Sequence, residues 1–426
     1  MARRVLVLAL ALAACGCGSR CKTVAAVRTA LTSRVGAPNR GTDVEVSVPL
    51  ARANAVIEDL LKQQPLTVPL DVPDLGLVDI TMGPLSATVS SLVLQPGPPG
   101  RLRFAVRLRI DDPQQEVTTI VATAEVEPML TRADGAAELA IGLGPENVLQ
   151  LRPELGPDAT AKLGGAVTRW LPTKLAGKLP QALVDAAANK LGGHLTGAVW
   201  SALQKTLLVR LGELTKVRLR LPDVPVSHVE IHSVTSPELL VVTILSDLPV
   251  RAGLRSVVVP SAEVTVRISG SAAAELANWA IDSGHAPQWY TRSLNPSPHG
   301  EYRPRFDFIP GSSHPLKVYA LQERHGCSYF RVGVRAKLAM KGRDLVVTAT
   351  DRDLEAMAAN PALEAAAWVK YFVTGAIDES KKVAAHTRLS IGGRTLLTQV
   401  ISADLANNEL AFGLQFSAGP PATAAR

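Results

Sequence analysis

The sequence predicts an α+β protein built as two tandem, pseudo-symmetric halves, each a long curved antiparallel sheet wrapped on long helices. Three observations carry that expectation. First, Val44–Leu61 (VEVSVPLARANAVIEDLL) and Val264–Ile281 (VTVRISGSAAAELANWAI) align without a gap at an offset of 220 residues. Internal repeats of this kind are sought before any local reading, because they set the architecture. Second, each copy leads into apolar runs that alternate with polar residues, the period of a half-buried strand. Third, each half then turns to Ala- and Leu-rich stretches with apolar residues at helical spacing.

Taken in chain order, residues 1–14 come first. Arg3 and Arg4 precede the apolar run Val5–Ala14, which is too short to span a bilayer. A basic start, an apolar run and a small-residue junction describe a signal peptide. The junction Leu12-Ala13-Ala14-Cys15 resembles the bacterial lipobox. That resemblance implies a mature chain that begins at an acylated Cys15 and sits on a membrane. The next residue is Gly16 rather than the aspartate that retains some lipoproteins at the inner membrane, which points to the outer membrane of a bacterial cell envelope. An ordinary secretory signal cut elsewhere is the alternative. Residues 15–41 read as a tether, with a flexible span of some tens of Å.

The first half is expected over 42–235. Val44, Val46 and Val48 match Val264, Val266 and Ile268 as strand positions, and Val56 and Leu61 match Leu276 and Ile281 as helix positions. Strands follow around Val78–Leu94, Arg101–Ile110, Val117–Glu127 and Ala136–Leu143, with Gly97-Pro98-Pro99-Gly100 as a turn. Leu183, Ala187, Leu191, Leu195 and Val199 then form a helical stripe. Val217–Val226 and Leu239–Leu245 look like strands that join the halves. The second half is expected over 236–418. Its strands lie at Leu316–Leu321, Tyr329–Met340, Leu345–Thr350 and Leu410–Phe416, and a helix is expected over Asp353–Phe372. Residues 419–426 read as a disordered tail.

At this point the chain is similar to the TULIP superfamily of tubular, BPI-like lipid-binding proteins, including its bacterial lipoprotein branch. The resemblance rests on VSVPLARANAVIEDLL at the start of a half, on the strand–helix–strands–helix order and on the duplication. It covers roughly residues 42–418. It implies an apolar groove under each helix that takes lipid or another amphiphile and passes it on without making or breaking a bond. Val56, Leu60, Leu183, Leu276, Trp279, Trp368 and Phe372 are the candidates for lining it. Each of them equally fits a closed core, since apolar residues are mostly core.

The segment His285–Phe308 holds five of the 17 aromatics, interleaved with arginines and prolines. Trp289, Tyr290, Arg292, Arg303 and Phe306 are candidates for a membrane-contacting loop, because aromatic and arginine side chains suit an interface. A loop packed on its own domain is the alternative reading. Removing residues 1–14 lowers the formal charge from +7 to +5. No Lys/Arg stripe with interleaved aromatics tracks a nucleic acid, so no nucleic-acid partner is expected.

Four cysteines leave Cys17, Cys21 and Cys327 once Cys15 is assigned to lipid. Cys327 pairs with Cys17 or Cys21, or Cys17 pairs with Cys21; the sequence does not choose. His228, Glu230 and His232 share a strand face but lack the helical spacing of a zinc protease, and no metal is expected. No nucleophile elbow, dinucleotide loop or phosphate loop is present, so neither an enzyme nor a cofactor is expected. The rival to lipid binding is a non-enzymatic structural or assembly lipoprotein that binds envelope proteins.

Overall fold

The computed structural model describes residues 20–37, 41–63, 65–70, 85–133, 136–154, 158–159, 161–162, 200–201, 204, 206–213, 217–220, 224–254, 262–293, 295–324, 326–341, 344–358, 381–384, 386–391, 394–406 and 408–418. The fold is α+β, and its described sheets are antiparallel.

Helix α1 spans residues 20–32. Strand β1 (Val44–Pro49) runs directly into α2 (Leu50–Gln63). Strands β2 (Thr67–Leu70), β3 (Leu85–Gln95), β4 (Leu102–Asp111) and β5 (Glu116–Val126) follow. Next come β6 (Met129–Ala133), β7 (Ala136–Ile141) and β8 (Val148–Glu154). Residues 206–213 form helix α3. The hairpin strands β10 (Val226–Thr235) and β11 (Glu238–Ser246) come after β9 (Val217–Arg220). The second start is β12 (Val264–Ser269), which runs into α4 (Gly270–Asp282). It leads to β13 (Tyr302–Phe308), β14 (Leu316–Gln322), β15 (Ser328–Lys341) and β16 (Asp344–Ala358). Strands β17 (Lys381–Ala384), β18 (His386–Ile391), β19 (Arg394–Ala406) and β20 (Glu409–Ala418) close the chain.

The strands divide among three sheets rather than one per half. A ten-stranded sheet has the order β10-β11-β1-β12-β20-β19-β18-β9-β7-β6. Two five-stranded sheets have the orders β2-β3-β4-β5-β8 and β13-β14-β15-β16-β17. The two repeat starts, β1 and β12, are direct antiparallel neighbours, with Val46 opposite Val266. On the far side of each lies a hairpin strand, β11 beside β1 and β20 beside β12. The residue pair 235/236, where the halves were expected to divide, sits at the turn of the β10–β11 hairpin.

The alternation in β1 and β12 is as expected, but its buried side is not. Glu45, Ser47, Thr265 and Arg267 are buried, whereas of the apolar side Val264 is buried but Val44, Val46, Val48, Val266 and Ile268 are only half-buried. Arg267 makes this possible. Its Nη1 lies 2.9 Å from Glu45 Oε1 and its Nη2 lies 2.5 Å from Glu409 Oε2, with the arginine side chain 2% exposed. A buried charge is tolerated when it is paired and hydrogen-bonded. Ser47 Oγ adds a bond to Glu45 at 3.2 Å.

The two short helices are fixed to their sheets by the same device. Asn54 Nδ2 donates to Leu94 O at 3.0 Å, and Leu94 N–H donates to Asn54 Oδ1 at 2.7 Å. Asn278 Nδ2 donates to Phe306 O at 2.9 Å, and Phe306 N–H donates to Asn278 Oδ1 at 2.8 Å. Leu94 lies beyond the short partner strand β2, and β13 is a sheet edge. Each asparagine amide therefore completes a strand backbone that no strand among the described residues pairs there. The N-terminus of α4 is capped by Ser269, whose hydroxyl accepts from Ala272 N–H at 3.0 Å.

Three further expectations are corrected. The tether expected over 15–41 is helical over 20–32 and docked on the second half. Val24 and Leu31 are buried against Tyr319, Leu321 and Tyr329. Cys21 is bonded to Cys327 across 306 residues of sequence. Arg34 then reaches Glu275 at 2.7 Å and Asp307 at 3.0 Å. The helix expected from Asp353 is strand β16 as far as Ala358, because Asp353 and Glu355 pair across to Arg331 on β15. Residues 359–372 lie outside the described ones. Lastly, Tyr302–Phe308 of the expected loop is strand β13.

Three measurements test this frame. Arg267→Met should cost about 3–5 kcal/mol in urea unfolding, since it leaves two carboxylates unpaired in the sheet. The combined Glu45→Gln/Arg267→Met/Glu409→Gln variant should recover much of that loss; equal losses would mean that the ions do not act as a unit. Replacing Cys21 and Cys327 with serine should lower stability by about 2–5 kcal/mol and speed hydrogen exchange over 20–32. Tyr319 and Tyr329 have phenols held above their ordinary range by burial, in Tyr329 with a hydrogen bond to Glu355 as the second cause. The neutral phenol is the favoured folded form. Its stabilisation is therefore complete below about pH 10, the ordinary tyrosine value, and is lost as pH rises beyond it. Phenolate absorbance should show two of the five tyrosines ionising late, together with alkaline unfolding.

Candidate functional site

The first half is closed where it is described. Phe104, Val106, Leu108 and Ile110 of β4 and Ile120, Ala122 and Ala124 of β5 are buried in one cluster with Leu207 and Leu211 of α3. Helix α2 closes its edge with Leu50, Ala53, Ile57 and Leu61. An open groove of about 280 Å³ runs along α2, lined by Asn54, Glu58, Leu61, Lys62 and residues Val89–Val93 of β3. The Glu58–Lys62 ion pair, at 2.7 Å, sits on its rim. That groove has a mixed polar and apolar lining.

Apolar surface that is not fully covered lies elsewhere, on two sheet faces. In the ten-stranded sheet, Val242, Val46, Val266 and Phe412 sit side by side on neighbouring strands, and all four are half-buried. The next row repeats this with Ile244, Val44, Ile268 and Leu410. Within these rows Val242 packs on the edge of the first-half cluster and Ile268 on Leu248, Val250 and Ala272, so the partly open stretch centres on Val46, Val266 and Phe412. In the β13–β17 sheet, Phe306, Val318 and Val332 form a row, and each is half-buried. Leu316 and Val334 lie beside them and are also half-buried. The opposite face of that sheet is ionic. It carries Arg305, Asp307, Lys317 and Arg331, and α1 packs against it through Tyr319, Leu321 and Tyr329.

Both faces arise from the pleat. Successive strand residues point to opposite sides, so fixing the ionic face inward fixes the apolar rows on the other. Such rows have few polar groups to satisfy, which is the chemistry an acyl chain or other amphiphile needs.

The sequence-derived candidates fall out as follows. Val56 is 36% exposed and points away from the helix face that packs. Leu60 is half-buried. Leu276 and Trp279 are half-buried and pack on Leu248, Val250 and Ala272, with Trp279 stacked on His285. Leu183, Trp368 and Phe372 lie outside the described residues, as do Cys15 and Cys17. Phe306 belongs to the apolar row rather than to a loop. Trp289 lies beneath two guanidinium groups, Arg324 at 3.6 Å and Arg303 at 5.8 Å from its ring centre. Tyr290 bridges Pro296 and Tyr302, and Arg292 is exposed. The residues that the sequence reading missed are Val242, Val318, Val332 and Phe412. Their period-2 alternation was the available signal, but it cannot say which side a sheet leaves open.

His228, Glu230 and His232 lie on one face of β10, opposite Leu245, Thr243 and Val241 of β11. Among the described residues no group of three His, Cys, Asp or Glu side chains is placed to hold a metal ion. Among them, too, no helix is long and apolar enough to cross a membrane.

No family profile matches the chain, and no curated protein does. Solved structures do. P47 of Clostridium botulinum E1 superposes with a TM-score of 0.41 at 9% identity, over 89% of this chain and 100% of that one. P47 from Clostridium botulinum A2 gives 0.39 at 10% identity, over 91% and 99%. A lipopolysaccharide binding protein gives 0.23 at 11% identity, over 88% and 99%. Superpositions this loose carry no assignment.

Proposed function

We propose that this chain is a membrane-anchored bacterial lipoprotein that binds lipid or another amphiphile on its half-open apolar sheet faces. The observation that carries the reading is the row Phe306–Val318–Val332 together with the row Val242–Val46–Val266–Phe412. Half-buried apolar rows of this kind gain free energy when an apolar partner covers the part they still expose. Burying about 400 Å² of acyl chain against them would contribute on the order of 10 kcal/mol. The mechanism is partition: an apolar tail leaves water for the sheet face, and no bond is made or broken. The lipobox-like Leu12-Ala13-Ala14-Cys15 supports anchoring through Cys15 in the cell envelope, and Gly16 supports the outer membrane. The duplicated starts, now found as neighbouring strands, support the resemblance to tubular lipid-binding proteins. Passing lipid between membranes extends the same reading.

A second reading has its own observation. The first half buries Val106, Leu108, Ile110, Ile120 and Ala122 completely, as a solid structural domain does. An assembly lipoprotein that binds envelope proteins fits that half.

The two separate cleanly. The Cys15→Ala chain, purified without detergent, should carry lipid by native mass spectrometry and take up a fluorescent fatty acid. Val266→Trp and Val332→Trp should each lower uptake severalfold while thermal unfolding changes little, because the indole fills space that the tail would occupy. Uptake unchanged in both variants, or no lipid at all, would sink lipid binding and leave the assembly role.

A further inference from the structure

The N-terminal helix and the aromatic segment meet at one end of the second half. Cys21 is bonded to Cys327, at the end of the β14–β15 turn. Arg28 donates to Gln322 O at 2.7 Å, at the start of that turn. From the same turn Arg324 reaches back. Its guanidinium stacks on Trp289 at 3.6 Å and donates to Pro298 O at 3.0 Å and Gly300 O at 3.4 Å. Segments more than 250 residues apart in sequence, the N-terminal helix and the Trp289 loop, thus share one turn as their support.

This junction has a consequence for the membrane. Five residues lie between Cys15 and Cys21, and the six residue-to-residue steps reach at most about 20 Å even when fully extended. We infer that the end formed by the β14–β15 turn, the first turn of α1 and the loop around Trp289 and Arg292 lies against an anionic phospholipid bilayer. The inference rests on the reading of Cys15 as the lipid anchor, and it adds which surface the anchor presses on the membrane. The chemistry of this end fits phosphate headgroups. Lys22 and Arg292 are exposed there, and Trp289, half-buried beneath Arg324, is a residue type that settles at headgroup depth. Asp282, Glu301 and Glu323 are the neighbouring acids: Arg303 pairs with Asp282 at 2.5 Å and Glu323 at 3.7 Å, Arg305 pairs with Asp282 at 2.7 Å, and Glu301 accepts from Gln322 at 2.9 Å.

The test uses the full chain on vesicles of phosphatidylethanolamine with phosphatidylglycerol, and on vesicles of phosphatidylcholine. Hydrogen exchange should slow over 286–293 and around Cys327 on the anionic vesicles and not on the neutral ones. Co-sedimentation of the Cys15→Ala chain should fall about fivefold for each cation removed in Lys22→Gln and Arg292→Gln. Neither side chain packs in the core, so unfolding midpoints should stay unchanged. Slowed exchange only at other surfaces, or equal sedimentation of the variants, overturns the inference. The mass of the N-terminal peptide from membrane-extracted protein separates the two ideas. An unmodified Cys15 overturns the anchor itself, whereas an acylated Cys15 with no protection at this end overturns only the orientation.

Discussion

The ion cluster of Arg267 with Glu45 and Glu409 is the constraint on which the rest of the structure turns. It sits where β1, β12 and β20 lie side by side, so it joins the start of one half to the start and finish of the other. Its energetic worth relative to apolar residues of similar volume is small or even negative. Its structural worth is directional. Once Glu45 and Arg267 face inward, the pleat leaves Val44, Val46, Val266 and Ile268 no choice of side. A one-residue slip would expose the ions to a face with no partners and bury the valines. The apolar rows are half-open because the charged rows are closed.

The same logic runs through the second half. The face of the β13–β17 sheet that carries Arg305, Asp307, Lys317 and Arg331 is the one that α1 covers. Arg34 extends the cover by bonding to Glu275 on α4 and to Asp307 on β13 at once. Helix, sheet edge and N-terminal segment are held by one guanidinium. Phe306 shows how tightly the two sides are coupled. Its backbone is held by Asn278 and its carbonyl also accepts from Arg34 at 3.1 Å, while its ring stands in the apolar row.

Much of this was legible in the sequence, and the gaps have physical causes. The strand–helix starts at Val44 and Val264 and the alternation of β4, β14 and β15 could be read because period 2 and period 3.6 are properties of the chain alone. The open side could not, because alternation marks two faces without saying which is covered. Asp353–Ala358 misled for a related reason. Leu354 and Met357 are three apart and fit a helix, while Asp351, Asp353 and Glu355 alternate as a strand, and the cross-strand arginine decided between them. Helix α1 was overlooked although Val24, Val27 and Leu31 already have helical spacing. Proximity to a signal-like segment made a tether the simpler expectation. Asn54 and Asn278 have no sequence signal of their own: their role exists only where a strand edge is left without a partner.

Docking α1 changes what an anchor at Cys15 could do. A tether of some 25 residues would let the body turn freely over its membrane, and any apolar face would meet the bilayer by chance. A helix fixed by Cys21–Cys327, Arg28 and Arg34 allows no such freedom, because the chain is held to the body from its first helical turn onward. The effective concentration of one chosen surface at the bilayer rises as that of every other surface falls. For a protein that takes up lipid by partition, a fixed surface matters more than a tight one. The tail must leave the bilayer and reach the sheet without crossing much water, and each exposed methylene in transit costs roughly 0.8 kcal/mol. Orientation shortens that path without adding a single contact to the ligand. Under the proposed lipid-binding role, a docked N-terminal helix and half-open apolar rows would serve the same end.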